Sequence, residues 1–189
     1  MNDEHDVVAR SLRYPGESFT AAEYEAVKDA VHDGRLGETL ARPSVLVVGS
    51  YADGERERLE AVRDRLPDRY EAFLMSEVEE VWTHWTAKFK LLVANTELVV
   101  GVYEHSDGGH AWEAGYLEGR HRDRTVVLKR AYPDRDPVAE PFDAMTAHWI
   151  QSMRYVDSVY EWTPDDESGP DLGTAVDDLV ADRLPRPEG

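Results

Sequence analysis

The stretch Glu97-Leu-Val-Val-Gly-Val-Tyr-Glu-His-Ser-Asp-Gly-Gly-His-Ala-Trp-Glu-Ala-Gly-Tyr-Leu-Glu-Gly119 decides how this chain is read. An apolar run at 98–103 ends in a Ser-Asp-Gly-Gly loop. A helix is expected over 111–121, with Glu113 within about one turn of its start. Strand, glycine turn and helix in succession form the repeating unit of an open α/β sheet, whose ligands bind where strands lead into helices. A carboxylate on the first turn of such a helix is held ionised by the positive end of the dipole. That suits a nucleophile, or an anion facing a developing cation.

The flanking sequence repeats the pattern. Residues 44–49 (Ser-Val-Leu-Val-Val-Gly) are a continuous apolar run closed by small residues, as in a buried parallel strand. The turn Gly49-Ser-Tyr-Ala-Asp-Gly54 leads into a helix over 55–66, whose Glu and Arg run reads as a solvated face with helix-spaced ion pairs. A second strand is expected over 70–75, and a long helix over 77–95 striped by Val78, Trp82, Trp85, Phe89 and Leu92. A fourth strand follows at 125–129, a helix over 142–153, a fifth strand over 155–160 and a terminal helix over 172–184. Upstream, Thr20-Ala-Ala-Glu23 is a capping-box pattern, and Gly34 is expected to end the helix it opens.

Strands alternating with helices predict an α/β fold: a flavodoxin-like five-stranded parallel sheet, order 2-1-3-4-5, flanked by helices, with an N-terminal helical extension. The expected division is 1–42 for that extension, 43–162 for the α/β core and 163–189 for a polar linker and C-terminal helix. This strand order sets the Gly49–Gly54 turn beside the 106–109 turn, with Tyr51 in reach of Glu113.

Charge and composition narrow the function. The 189 residues carry a formal charge of -18, from 39 acidic against 21 basic side chains dispersed along the chain. Only Lys28, Lys88, Lys90 and Lys129 are lysines. We read a surface adapted to a salt-rich cytoplasm, as in a halophilic archaeon, with self-repulsion relieved by screening. Binding to nucleic acid or to anionic lipid is not expected, because phosphate contacts need clustered Lys and Arg. The absence of cysteine removes disulfides, thiolate metal sites and cysteine nucleophiles. No apolar stretch approaches the roughly 20 residues that span a bilayer, and the acidic N-terminus is not a signal peptide. A cytoplasmic protein is expected.

Residues 96–129 resemble the nucleoside 2-deoxyribosyltransferase-like superfamily and its distant TIR-like relatives. The resemblance rests on Val99-Val-Gly-Val, Asp107-Gly-Gly, Glu113-Ala-Gly-Tyr116, Arg120-His-Arg-Asp-Arg and Val126-Val-Leu, about a fifth of the chain. It implies chemistry at the N-glycosidic bond of a small-molecule nucleoside or nucleotide, as transferase or hydrolase. Glu113 would be the nucleophile that forms a covalent glycosyl intermediate, oriented by Tyr51, with Asp107 contacting the leaving base or sugar. Gly49, Ser50, Gly108, Gly109, His110, Tyr116 and Trp82 complete the candidate substrate-binding set. Assembly as a homo-oligomer is also implied. The Gly49-Ser-Tyr turn departs from several relatives, which carry a proline after the first strand.

Other readings stay open from the residues alone. They are a noncatalytic nucleotide sensor using the same pocket, a TIR-like enzyme cleaving NAD, and an interaction domain. No cofactor is expected: neither Gly-x-Gly-x-x-Gly nor Gly-x-x-x-x-Gly-Lys occurs. No metal is expected either, since no His-x-Glu or His-x-x-x-His pair is present. Ser50 does not sit in a Gly-x-Ser-x-Gly elbow. A closing element over the site is expected from the 134–141 loop or the C-terminal helix.

Overall fold

Two apolar runs become the central strands, β1 (Ser44–Gly49) and β3 (Leu98–Tyr103), with the bounds expected from the sequence. The computed structural model describes residues 13, 19–33, 35–52, 54–78, 82–106, 108–132, 141–164 and 169–184. The remaining strands are β2 (Glu71–Leu74), β4 (Thr125–Arg130) and β5 (Val159–Trp162). All five are parallel and lie in the order β2-β1-β3-β4-β5. The register of the last pair sets Val127 against Val159 and Arg130 against Trp162.

Seven helices of the described residues accompany the sheet: α1 (Ala21–Asp33), α2 (Arg35–Leu40), α3 (Glu55–Arg65), α4 (Trp85–Asn95), α5 (Gly108–Arg120), α6 (Ala144–Arg154) and α7 (Leu172–Arg183). The connection after β1 runs toward β2 and the one after β3 runs toward β4. Right-handed crossovers in opposite directions place their helices on opposite faces of the sheet.

By internal contacts the chain divides into two units. One comprises 1–46 and 68–99, the other 47–67 and 100–189. In the first, α1 packs on α2 and α2 on β2. Its buried side chains include Val27, Val31, Leu36, Phe73, Phe89 and Leu92. In the second, α3 packs on α7, α7 on β5, α5 on α6 and α6 on β4. Leu59, Val127, Trp149, Ile150 and Leu179 are among its most deeply buried residues. Burying side chains of this size contributes about 1.5–3 kcal/mol each.

The capping box forms as the sequence predicts. Glu23 N donates to Thr20 Oγ1 at 3.2 Å, and Thr20 N donates back to Glu23 Oε2 at 2.9 Å. Glu23 Oε1 also accepts from Thr83 N at 2.9 Å, so the helix start is bound to a distant loop. The backbone N–H of Thr20, followed by that of Thr83, lowers the Glu23 carboxyl from 4.5 to about 2. A depressed acid stabilises the fold fully above its unfolded value, and that stability is lost as pH falls through the folded value. Acid unfolding should therefore show a steeper loss between pH 4.5 and 2 in the wild type than in Glu23→Gln. Equal slopes by circular dichroism would contradict the assignment.

The long helix and the fifth strand differ from expectation. The long helix over 77–95 begins only at Trp85, behind a 3₁₀ turn at Met75–Glu77, and residues 79–81 lie outside the described residues. Val78 and Trp82 keep helical spacing but answer to tertiary contacts. Lys88 Nζ donates to Val78 O at 2.7 Å and sits 5.5 Å from the Trp82 ring centroid. Thr83 N is bound to Glu23 instead of a helical carbonyl. The fifth strand is displaced from 155–160 to Val159–Trp162. Asp157 adopts φ 50, and Arg183 donates to the carbonyls of Val156 and Asp157, which fixes a turn where a strand was expected. Gly34 lies outside the described residues.

Candidate functional site

The carboxyl ends of β1 and β3 approach closely because Gly49 has no side chain. A Cβ there would stand 2.8 Å from Leu59 Cδ2 and 2.9 Å from the Val102 carbonyl oxygen. The packing of strand against strand accounts for this glycine. Ser50 Oγ accepts from Ala52 N at 3.2 Å, a local turn bond that fixes the loop into α3.

The two turns of the switch point face each other, as the strand order predicts. Glu55, the first residue of α3, accepts from His105 Nε2 at 2.8 Å. His105 belongs to the loop between β3 and α5. Its Nδ1 and Glu55 Oε2 are both buried and have no partner among the described residues. An imidazole held at one nitrogen by a carboxylate, with the other nitrogen uncommitted, is a ready proton-transfer group. The Glu and Arg run over 55–66 was expected to be a solvated face, and the turn of Glu55 to His105 departs from that expectation. Among the described residues no group of three or more metal-ligating side chains forms a metal site.

The loop itself is tied down from several directions. Ser106 N donates to Pro141 O at 2.8 Å, and Asp143 N donates to Ser106 Oγ at 2.6 Å. Asp143 in turn caps α6 through Met145 N and Thr146 N, which lowers its carboxyl below the usual range. His110, 3% exposed, donates from Nδ1 to the His105 carbonyl at 3.2 Å. Its ring packs edge-on to Tyr103 at 5.2 Å. So His110 anchors the loop to the first turn of α5.

Glu113 is buried, at 8% exposure. The helix starts at Gly108, three residues earlier than expected, which corrects the dipole argument. Glu113 lies more than a turn inside α5, where the dipole's influence has largely fallen off. Burial, not the helix terminus, is the main feature of its environment. Tyr51 is 38% exposed on the β1–α3 turn. Gly108 and Gly109 open α5, while Asp107 and residues 133–140 lie outside the described residues.

Tyr116 belongs to an aromatic stack with Trp112, ring centroids 5.8 Å apart and planes 3° from parallel. Its hydroxyl lies 3.4 Å from His121 Nε2, and burial raises its phenol above the usual range. Trp82 belongs to the first unit, buried beneath the Lys88 ammonium. Gly115 is exposed, and an added Cβ there would meet nothing within 4 Å. Gly119 is equally open. Gly115→Ala and Gly119→Ala should each stabilise the fold by about 0.5–1 kcal/mol, read from chemical denaturation. A loss of stability in either would contradict the open helix face.

A second cluster, outside the sequence expectations, surrounds Glu104 just after β3. Glu104 is 6% exposed. It pairs with Arg58 Nε of α3, and its Oε2 lies 3.7 Å from Arg130 Nη1 at the end of β4. The Tyr132 hydroxyl donates to its carbonyl. The signal that would have found it is position: Glu104, Arg130 and Trp162 stand at the carboxyl ends of three parallel strands.

No helix among the described residues is long and apolar enough to cross a membrane. A comparison with curated proteins finds no match. A family profile covers residues 35–159, from α2 through the start of β5, two thirds of the chain. The chain belongs to the family described as "Family of unknown function (DUF8170)".

Proposed function

We propose that this protein acts on the N-glycosidic bond of a nucleoside or nucleotide, as transferase or hydrolase, with Glu113 as nucleophile. The observation that carries the reading is a buried glutamate on the helix that follows β3 in a doubly wound sheet. Ligands of such sheets bind in the crevice beside the carboxyl ends of the strands at the switch point. A carboxylate withdrawn from water interacts more strongly with a developing oxocarbenium ion than a solvated one does.

In the proposed step a Glu113 oxygen bonds to the anomeric carbon and the carbon–nitrogen bond breaks. The electron pair leaves with the base nitrogen, which takes up a proton. We assign His105, held by Glu55, as the donor of that proton. Water or a second base then attacks the glycosyl ester, which decides between hydrolysis and transfer. Assembly as a homo-oligomer belongs to the same proposal, and light scattering across a KCl series checks it; a monomer at every salt concentration would end it.

The test is base release in molar KCl from a panel of nucleosides, nucleoside monophosphates and NAD. Free base from a nucleoside or monophosphate supports the reading. Release from NAD alone would move the assignment to nicotinamide-bond cleavage. Binding without release would make the domain a sensor.

A further inference from the structure

We propose that two copies of this chain associate through the exposed face of α6, the two helices lying antiparallel across a two-fold axis. The contact rests on the self-association proposed above and not on the chemistry at Glu113.

Helix α6 turns Thr146, Trp149, Ile150 and Met153 inward, at the i, i+3, i+4 and i+7 spacing of a buried face. Ala144, His148, Gln151 and Tyr155 run along the opposite side, and all four are exposed. Tyr155 closes the helix in right-handed helical geometry, so the stripe stays in register to its last member. Tyr155 is 79% exposed, and Met145 beside the stripe is 63% exposed. His148 lies 3.7 Å from Glu118 of α5 yet keeps three quarters of its side chain in solvent.

Charge marks this face out. Helix α6 has no acid in its eleven residues, whereas α3 has four in eleven and α7 three in twelve. In a chain of charge -18, two copies repel least where neither brings a carboxylate. Asp143 and Asp157 flank the face at its two ends, and Asp143 is engaged by the N–H groups of Met145 and Thr146. Antiparallel pairing brings these two acids together only at the rims, where salt screens them.

The spacing selects a second copy as the occupant. An isologous contact pairs residue i with j and residue j with i. The steps of the stripe are four, three and four, so reversing the helix superposes the stripe on itself. Ala144 then meets the partner's Tyr155 at both ends, and His148 meets the partner's Gln151 at the centre. Beside them, Ala147 meets the partner's Ser152. Small faces large at the ends, an imidazole faces a carboxamide that both donates and accepts, and two small side chains let the backbones approach. Exposed tyrosine is among the strongest interface anchors.

The test is sedimentation velocity of the full chain over a concentration series, from low to molar KCl. A monomer–dimer equilibrium that tightens with salt is expected. Tyr155→Glu and His148→Glu, each checked by circular dichroism, should weaken it by about tenfold or more, because they bring acid to an acid-free contact. The register is tested by cross-linking, since the chain has no cysteine of its own. A mixture of Ala144→Cys and Tyr155→Cys should give a disulfide-linked dimer on mild oxidation. Either variant alone should not, because its thiols lie about 16 Å apart along the paired helices, too far for a disulfide. A monomer at every concentration and salt would leave the face to a different protein and overturn the proposal. So would a dimer undisturbed in both folded glutamate variants, or no cross-link from the mixture. Base release is a separate readout: its absence would leave this contact standing, and a monomer would leave the chemistry at Glu113 standing.

Discussion

Glu113→Gln should lose base release by about 10³-fold or more while keeping its fold. The amide matches the carboxylate in shape, so packing around α5 is preserved. A neutral amide oxygen is a poor nucleophile and offers no full charge to an oxocarbenium ion. The amide fills the same volume at a position that is 8% exposed, so thermal stability should stay near that of the wild type. That combination separates a chemical role from a structural one. A structural carboxylate would show the opposite pattern: activity and melting temperature would fall together. Substrate affinity in the variant should stay near wild type, because the proposed interaction strengthens only in the transition state.

Glu104→Ala carries the largest expected stability change, a loss of about 3 kcal/mol. The carboxylate is 6% exposed and faces two guanidiniums, so its removal takes a buried ion pair from Arg58 and a second, longer contact from Arg130. The figure sits at the low end of the range for a broken buried pair. Arg58 and Arg130 keep about a third of their side-chain surface in water and recover part of the loss through hydration. Raising the KCl concentration should restore little, since screening acts weakly on buried charges. Glu60→Ala is the control. Its partner Arg56 lies at 2.9 Å on an exposed face of α3, and the change should cost only about 0.3–0.5 kcal/mol. Chemical denaturation of both variants checks the contrast, and equal losses would contradict the burial argument.

The central strands were legible because local and tertiary signals agree there. The runs 44–49 and 98–103 are apolar throughout and are bounded by small or turn-forming residues, and both are buried along nearly their whole length. Alternation indicated a parallel sheet, and the count of five strands pointed to the flavodoxin-like order that the structure has. The helix expected over 77–95 failed where a periodic apolar pattern was recruited by other contacts, Val78 and Trp82 to Lys88 and the Thr83 backbone to Glu23. The fifth strand was misplaced by a positive-φ residue, Asp157, and by the distant Arg183 that stabilises its turn.

The candidate site was legible only where it is contiguous. Glu113 and the glycine loop sit together in the sequence and could be read as one motif. The acidic and basic run over 55–66 could not, because helical periodicity gives spacing but not the direction a charged face takes. Arg56 and Glu60 do pair along the surface, whereas Glu55 turns to His105 and Arg58 to Glu104. Both contacts join elements that only the fold brings together.

Trapping of the glycosyl-enzyme tests the central claim most directly. Wild-type protein would be quenched in acid during turnover of a responding substrate, digested and analysed by mass spectrometry. The account predicts a glycosyl adduct on the peptide carrying Glu113, absent in Glu113→Gln. An adduct on another residue, or turnover with no adduct while the variant remains active, would contradict it.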